Sequence, residues 1–283
     1  METARWLAGQ IREFVRTSPD NSLRKGTGEK AWQEPLVGFA GGADPLFARL
    51  KEDIGDFYWT PGDIFALTFP DRPALPEDLT VVSWVLPQTK ATKKDNRHLK
   101  ERPSERWARS RKFGEEFNVL LARHVVDRLR EKGIAAVAPS LGSPLWGWRE
   151  SPRYGFASTW SERHTAHAAG LGTFGLCDGL ITPAGKAIRC GSVVAAFPSS
   201  PPARPYSDHH AWCLFFTDGT CGKCIPRCPA GAISEQGHDK ARCRAFLFET
   251  VAPFTKERFG FESHGCGLCQ TGVPCESRIP LKA

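Results

Sequence analysis

The chain has 283 residues, of which 41% are hydrophobic and 24% charged, and a formal net charge of +7. That balance excludes a disordered chain, which lacks the apolar content, and a membrane-embedded one, which does not carry so much charge. A chain of this length buries a core without covalent staples, so its ten cysteines need another reason.

The opening segment METARWLAGQIREFVRTSPDN places Glu2, Arg5, Arg12 and Glu13 among its apolar residues, so it holds no continuous apolar run of the kind a secretory signal requires. Trp6, Leu7, Ile11, Phe14 and Val15 recur at helical spacing and are followed by Thr17, Ser18 and Pro19, which predicts a core-packing helix that stops there. The run LTVVSWVL, Leu79 to Leu86, is apolar, β-rich and closed by Pro87, as a buried strand would be. From Lys90 to Lys112 the chain is strongly basic, with Lys93, Lys94, Arg97, Lys100, Arg102, Arg106, Arg109 and Arg111. Two readings stand for this segment: a patch that draws an anionic or phosphate-bearing partner, and a solvated face whose balancing acids lie elsewhere in the chain. Phe117, Leu120, Leu121, Val125, Val126 and Leu129 form a helical stripe closed by Gly133, the strand-like IAAVAPS follows, and a further strand is expected across Ala187 to Phe197. Strand, helix and strand in this order predict an α/β or α+β layer with a central sheet.

No stretch approaches the roughly 18 uninterrupted apolar residues of a membrane span. The expectation is a cytoplasmic chain without a membrane partner, in which thiols stay reduced and cysteine clusters bind metal more often than they form disulfides. All ten cysteines fall between Cys177 and Cys275. The Pro- and Ser-rich stretch from Pro198 to Asp208 breaks helix and strand alike, so the boundary is placed near Pro205, giving domains 1–205 and 206–283.

The strongest chemical signal is Cys221-Gly-Lys-Cys224-Ile-Pro-Arg-Cys228-Pro229. Two thiolates spaced C-x2-C grip one centre from a single turn, while the third, followed by Pro, points toward a second centre, as in two-cluster bacterial ferredoxins. A second group supplies Cys266, Cys269 and Cys275, and Cys243 lies between on a helical stretch. With Cys213 the final 71 residues hold eight cysteines, the number that two 4Fe-4S clusters take. Pairing by this logic assigns Cys213, Cys221, Cys224 and Cys275 to one cluster and Cys228, Cys243, Cys266 and Cys269 to the other. The usual run would place a cysteine where this chain has Asp218; either Cys213 reaches in or Asp218 ligates through oxygen, and the softer thiolate favours Cys213. Five residues rather than three separate Cys269 from Cys275, with Pro274 before the last cysteine. Two four-cysteine zinc sites are the alternative, although they have no need of the C-x3-C-P element. Cys177 and Cys190 are read as buried thiols outside the clusters.

These motifs resemble the ferredoxin-like module of epoxyqueuosine reductases and, more distantly, of reductive dehalogenases, which carry two 4Fe-4S clusters beside a cobalamin. Ser161 to Ala195 looks like the family's AGLG-x2-GKN-x-LLI segment and the strand after it, with Gly170, Gly172, Gly175, Leu180, Ile181, Gly191 and Ser192 in matching places. The resemblance covers about 120 residues and implies an α+β fold: an N-terminal α/β sandwich-like domain of nitroreductase-like, cobalamin-reductase type, followed by a two-cluster ferredoxin-like domain. It also implies a reductase supplied by an external donor of ferredoxin or flavodoxin type, with cobalamin or another cofactor in the first domain and Gly170, Gly172 and Gly175 giving its tail close backbone approach. The alternative for these glycines is a helix end at Gly170 followed by a tight turn.

There are departures. Gly175-Leu176-Cys177 stands where the family has Gly-Lys-Asn, which changes a polar contact near the cofactor. Glu116-Phe117-Asn118 stands where it has Asp-Tyr-His, so Glu116 inherits the proton-donor role, or is a solvated residue in the first turn of its helix. His164 and His167, just before the glycines, are expected on a helix surface. The helical-repeat extension that helps many epoxyqueuosine reductases bind tRNA is not seen, which sets the expectation against a tRNA substrate and for a small or nucleoside-like anion. The alternative is a ferredoxin-type electron-transfer protein whose first domain docks a partner enzyme.

Overall fold

The apolar stripe of the N-terminal segment forms α1 (Glu2–Thr17), which buries Leu7, Ala8, Ile11 and Val15. The computed structural model describes residues 2–26, 28–142 and 144–280. After α1 come β1 (Leu36–Gly41), α2 (Pro45–Ile54), whose first turn is capped by Asp44, and α3 (Pro61–Thr68), opened by a reciprocal cap between Thr60 and Asp63. The expected central strand is β2 (Thr80–Pro87), buried along its whole length. The basic segment becomes two helices, α4 (Lys90–Arg97) and α5 (Glu105–Arg130), divided by Pro103 and the Ser104 cap. Gly133 closes the turn after α5 at φ +74°, a left-handed conformation that glycine adopts without strain.

Beyond it lie β3 (Ala136–Val137), a hairpin of β4 (Trp148–Ser151) and β5 (Gly155–Ser158), and α6 (Glu162–Ala168). The short pair β6 (Thr173–Phe174) and β7 (Leu180–Ile181) leads into β8 (Ile188–Ala195). The central sheet runs in the order β1-β2-β8-β3. Its pairs are antiparallel, with Trp84 opposite Gly191 and Ser83 opposite both Gly38 and Ser192, so the layer is α+β and contains no parallel crossover unit. Both faces are covered. Val82, Trp84, Leu86, Val193 and Ala195 pack against α1 and α5, while Ala40, Val81 and Val194 meet α2, α3 and α6, which makes a helix-sheet-helix sandwich.

Pro198 to Asp208 carries neither helix nor strand, but it is tied down where Arg204 pairs with Asp44 and the Tyr206 hydroxyl donates to the His167 carbonyl. The final segment has short elements only: α7 (Leu214–Asp218), the pair β9 (Ile233–Ser234) and β10 (Gly237–His238), and α8 (Lys240–Phe246), joined through a π turn to α9 (Ala252–Phe259). Its core is built largely of thiols, since Cys213, Cys224 and Cys275 pack with Leu176, Cys177 and Ile181 from the stretch after α6.

Much of the basic segment is neutralised within the chain. Arg106 pairs with Glu29 and Asp95, Arg109 with Glu105, Arg111 with Glu115 and Arg97 with Glu276, which is the second of the two readings. No described helix is long and apolar enough to cross a membrane.

Candidate functional site

Cys213 occupies the N-cap of α7, a helix of one turn that ends at Gly219 in the left-handed conformation. The reversal brings Cys221 and Cys224 back toward Cys213. Cys275 joins them from the far end of the chain because the Lys186 amide donates to its carbonyl and the Ala187 amide to that of Glu276. These four thiols line one cavity, together with Leu176, Ile181, Phe215 and Lys186. Asp218, the other candidate for this group, accepts from the Thr220 amide and hydroxyl.

The remaining four thiols form a second neighbourhood. Cys266 is pushed up to about 11 by burial, with Cys243 and Cys228 close enough to raise it further. Cys228 accepts from the Ala232 amide at 3.3 Å. Burial alone would lower the His238 pKa, but hydrogen bonds to Asp178 and to Cys243 prevail and carry it up to about 10; its Nδ1 lies 3.0 Å from the Asp178 carboxylate. Among the described residues, no three His, Cys, Asp or Glu side chains converge on a single ion-sized point.

Cys177 lies outside both expected sets, and the structure places it between them. Cys224 and Cys269 both hydrogen-bond to it and, with help from Lys186, hold its thiol well below the usual range. Those same contacts, reinforced by burial, raise the thiols of Cys224 and Cys269. Lys186 is 3% exposed and donates to the Cys177 Sγ at 3.2 Å. Cys177 is buried, as expected, but it touches a thiol of each set, whereas Cys190 sits in β8 as a buried thiol that desolvation pushes up to about 12.

A second concentration of polar groups, its ion-paired side chains about one-third exposed, lies between α5, α6 and β8. Arg189 pairs with Glu115, which also takes an ion pair from Arg111 at 3.0 Å. Beside them stands Glu162 in the first turn of α6. Both of its carboxylate oxygens are sealed from solvent without an aligned donor. Burial pushes its pKa up to about 7, against the opposing pull of the Ser192 and Ser140 hydroxyls and of Arg189. The Asn118 side chain accepts from Trp84 Nε1 at 2.8 Å and donates to the Cys190 carbonyl, and Trp160 Nε1 donates to Ser192. These bonds fix the side chains packed around Glu162, a closed polar chamber in the sense that solvent does not reach the carboxylate oxygens.

Glu116, the expected proton donor, lies in the middle of α5 rather than in its first turn. It is 38% exposed and paired with Arg24 and Lys112; the structure brings it to neither the thiols nor the chamber. Helical periodicity explains the swap, because residues adjacent in a helix point about 100° apart and it is Glu115 that faces inward. Gly170 ends α6 at φ +76°, with the Leu171 amide returning to the Ala166 carbonyl. A Cβ on Gly172 would lie 2.5 Å from the Ile181 carbonyl oxygen, and one on Gly175 3.3 Å from the Ile181 side chain. Contacts within the chain thus account for all three glycines, and a helix end followed by a tight turn is what they form.

His164 and His167 turn inward rather than to the surface. His167 is 7% exposed, its Nδ1 is 2.8 Å from the Gly172 carbonyl, and its ring stacks on Tyr206. Burial drives the His164 pKa down to about 3, so it stays neutral at physiological pH. Sequence reasoning missed Lys186, Glu115 and Glu162. Lys186 had left a signal, as a single cation in the otherwise apolar and glycine-rich stretch that enters β8.

No protein-family model matches the chain. Curated epoxyqueuosine reductases of Bacillus anthracis and Bacillus cereus are each 34% identical to it over 119 residues, a stretch that spans 40% of this chain and 29% of theirs. Among solved structures, a selenomethionine-labelled epoxyqueuosine reductase superposes with a TM-score of 0.53 at 18% identity, over 99% of this chain and 68% of that one. The epoxyqueuosine reductase of Bacillus subtilis gives 0.51 at 17% identity, over 98% and 67%. A catabolic reductive dehalogenase gives 0.50 at 14% identity, over 98% of this chain and 38% of its own. The chain is thus epoxyqueuosine reductase-like, in fold along almost its whole length and in sequence over two-fifths of it.

Proposed function

We propose that the chain is an iron-sulfur oxidoreductase related to epoxyqueuosine reductase. It takes electrons from an external donor of ferredoxin or flavodoxin type and passes them, through two 4Fe-4S clusters, to a cofactor such as cobalamin or to a small anionic substrate in the first domain. The observation that carries this reading is the cavity lined by Cys213, Cys221, Cys224 and Cys275, four thiols drawn from three separate stretches of chain. The donor set fits a cluster. Each iron of a cubane takes one thiolate, so four thiols spread around a cavity suit it, whereas one zinc ion needs its sulfurs gathered at about 2.3 Å from a single point. Cys228, Cys243, Cys266 and Cys269 would hold the second. Bound clusters supply storage for single electrons at potentials set by their surroundings.

The chain's own residues supply the rest. Glu162, sealed from water and titrating at about 7, is the candidate proton donor, since a carboxyl poised near neutrality is the form in which an acid is both protonated and able to give the proton up. Arg111 and Arg189 bring two positive charges and Glu115 one negative. With Glu162 protonated the chamber keeps one net positive charge, which suits a small or nucleoside-like anion. Gly172 is packed tightly against its own chain, which accounts for that glycine without a cofactor. The relay reading, in which the first domain only docks a partner, gives the Glu162 chamber no task.

Anaerobic purification followed by iron, sulfide, zinc and cobalt analysis tests the reading. About eight iron and eight sulfide per chain are expected for two 4Fe-4S clusters, and an iron-free chain loaded with zinc would overturn it. A change in the absorption of added cobalamin reports whether the first domain takes that cofactor.

A further inference from the structure

Lys186 is the buried cation that the proposed function leaves without a role. It is 3% exposed and lines the same cavity as Cys213, Cys221, Cys224 and Cys275. Its ammonium donates to the Cys177 sulfur at 3.2 Å and its backbone amide to the Cys275 carbonyl. The groups that act on its charge are thiols throughout: Cys177, Cys275, Cys269 and Cys224. No carboxylate of the described residues pairs with it. An ammonium taken out of water without a counter-charge costs several kcal/mol, so a lysine kept here requires negative charge nearby. Cys177 is the nearest group that can supply it, and four thiolates around a cubane would add to it, because they would outweigh the charge of the iron-sulfide core.

We propose that Lys186 sets the reduction potential of the cluster held in this cavity, its ammonium compensating the thiolate charge, with Cys177 the anchor that holds the ammonium in place and not an iron ligand. The inference rests on the cluster reading given above. Reduction adds one electron from the donor and hence one negative charge to the cluster, with no bond made or broken in the protein. A fixed positive charge stabilises the reduced form more than the oxidised one and raises the potential, since net charge and hydrogen bonds to sulfur are among the determinants of cluster potentials. A cluster held by these thiols would therefore be easier to reduce with the Lys186 ammonium in place than without it.

The test is a redox titration of the whole chain, reconstituted anaerobically and followed by electron paramagnetic resonance. Lys186→Met should keep about eight iron and lower the potential of one cluster by at least a tenfold change in its reduction equilibrium, about 59 mV for one electron, while Lys186→Arg stays near the wild-type value. An iron-complete Lys186→Met chain whose two potentials match the wild type would overturn the proposal. Cys177→Ser should retain full iron, and loss of a cluster in that variant would overturn the anchor role. Should Lys186→Met fail to hold its iron, Cys177→Ala is titrated instead: a downward shift in the same cluster supports the proposal and an unchanged potential refutes it. A wild-type chain that binds no iron fails at the earlier step, where it sinks the cluster reading together with this one, so the two failures are told apart.

Discussion

Replacing Glu162 by Gln removes a titration without removing volume, and the size of the effect follows from the chamber. In the unfolded chain the carboxyl ionises near the ordinary value of 4.5, whereas in the fold it does so at about 7. At about 1.4 kcal/mol for each pH unit between them, the difference amounts to about 3 kcal/mol. The folded pKa is the raised one, so the native state holds this proton more tightly than the unfolded state. Stability is then fully present below the unfolded value and is lost as pH rises toward and through the folded one. The Gln variant lacks this dependence. Denaturant unfolding of wild type and Glu162→Gln in the same cofactor state, at pH 5 and pH 8, should show the variant gaining about 2 to 3 kcal/mol relative to wild type across that interval. Other titrating groups, including Glu115, Arg189 and Cys190, are common to both proteins and cancel in the difference. In activity the same substitution should cost about 10²- to 10⁴-fold in turnover, the ordinary contribution of a positioned general acid, and should abolish the limb of the pH profile near 7. Parallel stability curves at both pH values would refute the reasoning about burial, and unchanged turnover would refute the role.

Cys213→Ser should remove the signal of one cluster and leave the other, while Asp218→Ala leaves both spectra intact; the reverse result would assign the ligand to Asp218. Gly172→Ala forces a methyl to 2.5 Å from the Ile181 carbonyl oxygen, and a loss of about 1 to 3 kcal/mol in unfolding free energy is expected for such overpacking. Glu116→Gln breaks only exposed ion pairs to Arg24 and Lys112, so turnover should stay within twofold of wild type, measured beside Glu162→Gln under the same conditions.

Where periodicity alone decides an element, the chain could be read. The stripe from Trp6 to Val15 became α1, and LTVVSWVL became the strand at the centre of the sheet, because a fully apolar run closed by proline has few other solutions. The grouping of Cys213 with Cys221, Cys224 and Cys275 was also accessible, since the spacing of C-x2-C and C-x3-C-P constrains where the sulfurs point. What escaped reading depends on which neighbour arrives across the fold. Glu115 and Glu116 are the same residue type on the same helix, and only the packing of α5 on the sheet turns one toward Arg189 and the other toward solvent. Cys177 looked inert because its chain neighbours are apolar, yet its sulfur is met by Cys224 and Cys269, which are 47 and 92 residues away in sequence. Of the loop glycines, Gly172 shows the close backbone approach that was inferred, and the group approached within the fold is the Ile181 carbonyl.

The contacts of the cysteine-rich segment also bear on the choice between an enzyme and a relay. A carrier module that shuttles electrons for a docked partner needs little from the domain beside it. Here the turn between Cys266 and Cys269 depends on that domain: Gly267, at φ +61°, lies so close to the Trp107 ring of α5 that any Cβ would overlap it, and the Cys266 carbonyl accepts from Asn96 of α4. The segment carrying Cys275 is held in the same way, by Arg97 pairing with Glu276 and by Gly185, at φ +84°, passing directly over the Glu276 backbone. The helix that places Trp107 against the second group of thiols also carries Glu115 and Asn118, eight and eleven residues or about 12 and 16 Å further along its axis. One rigid element therefore fixes the distance between the thiols and Glu115, and a fixed spacing of that kind serves the reductase proposed above better than it serves a carrier.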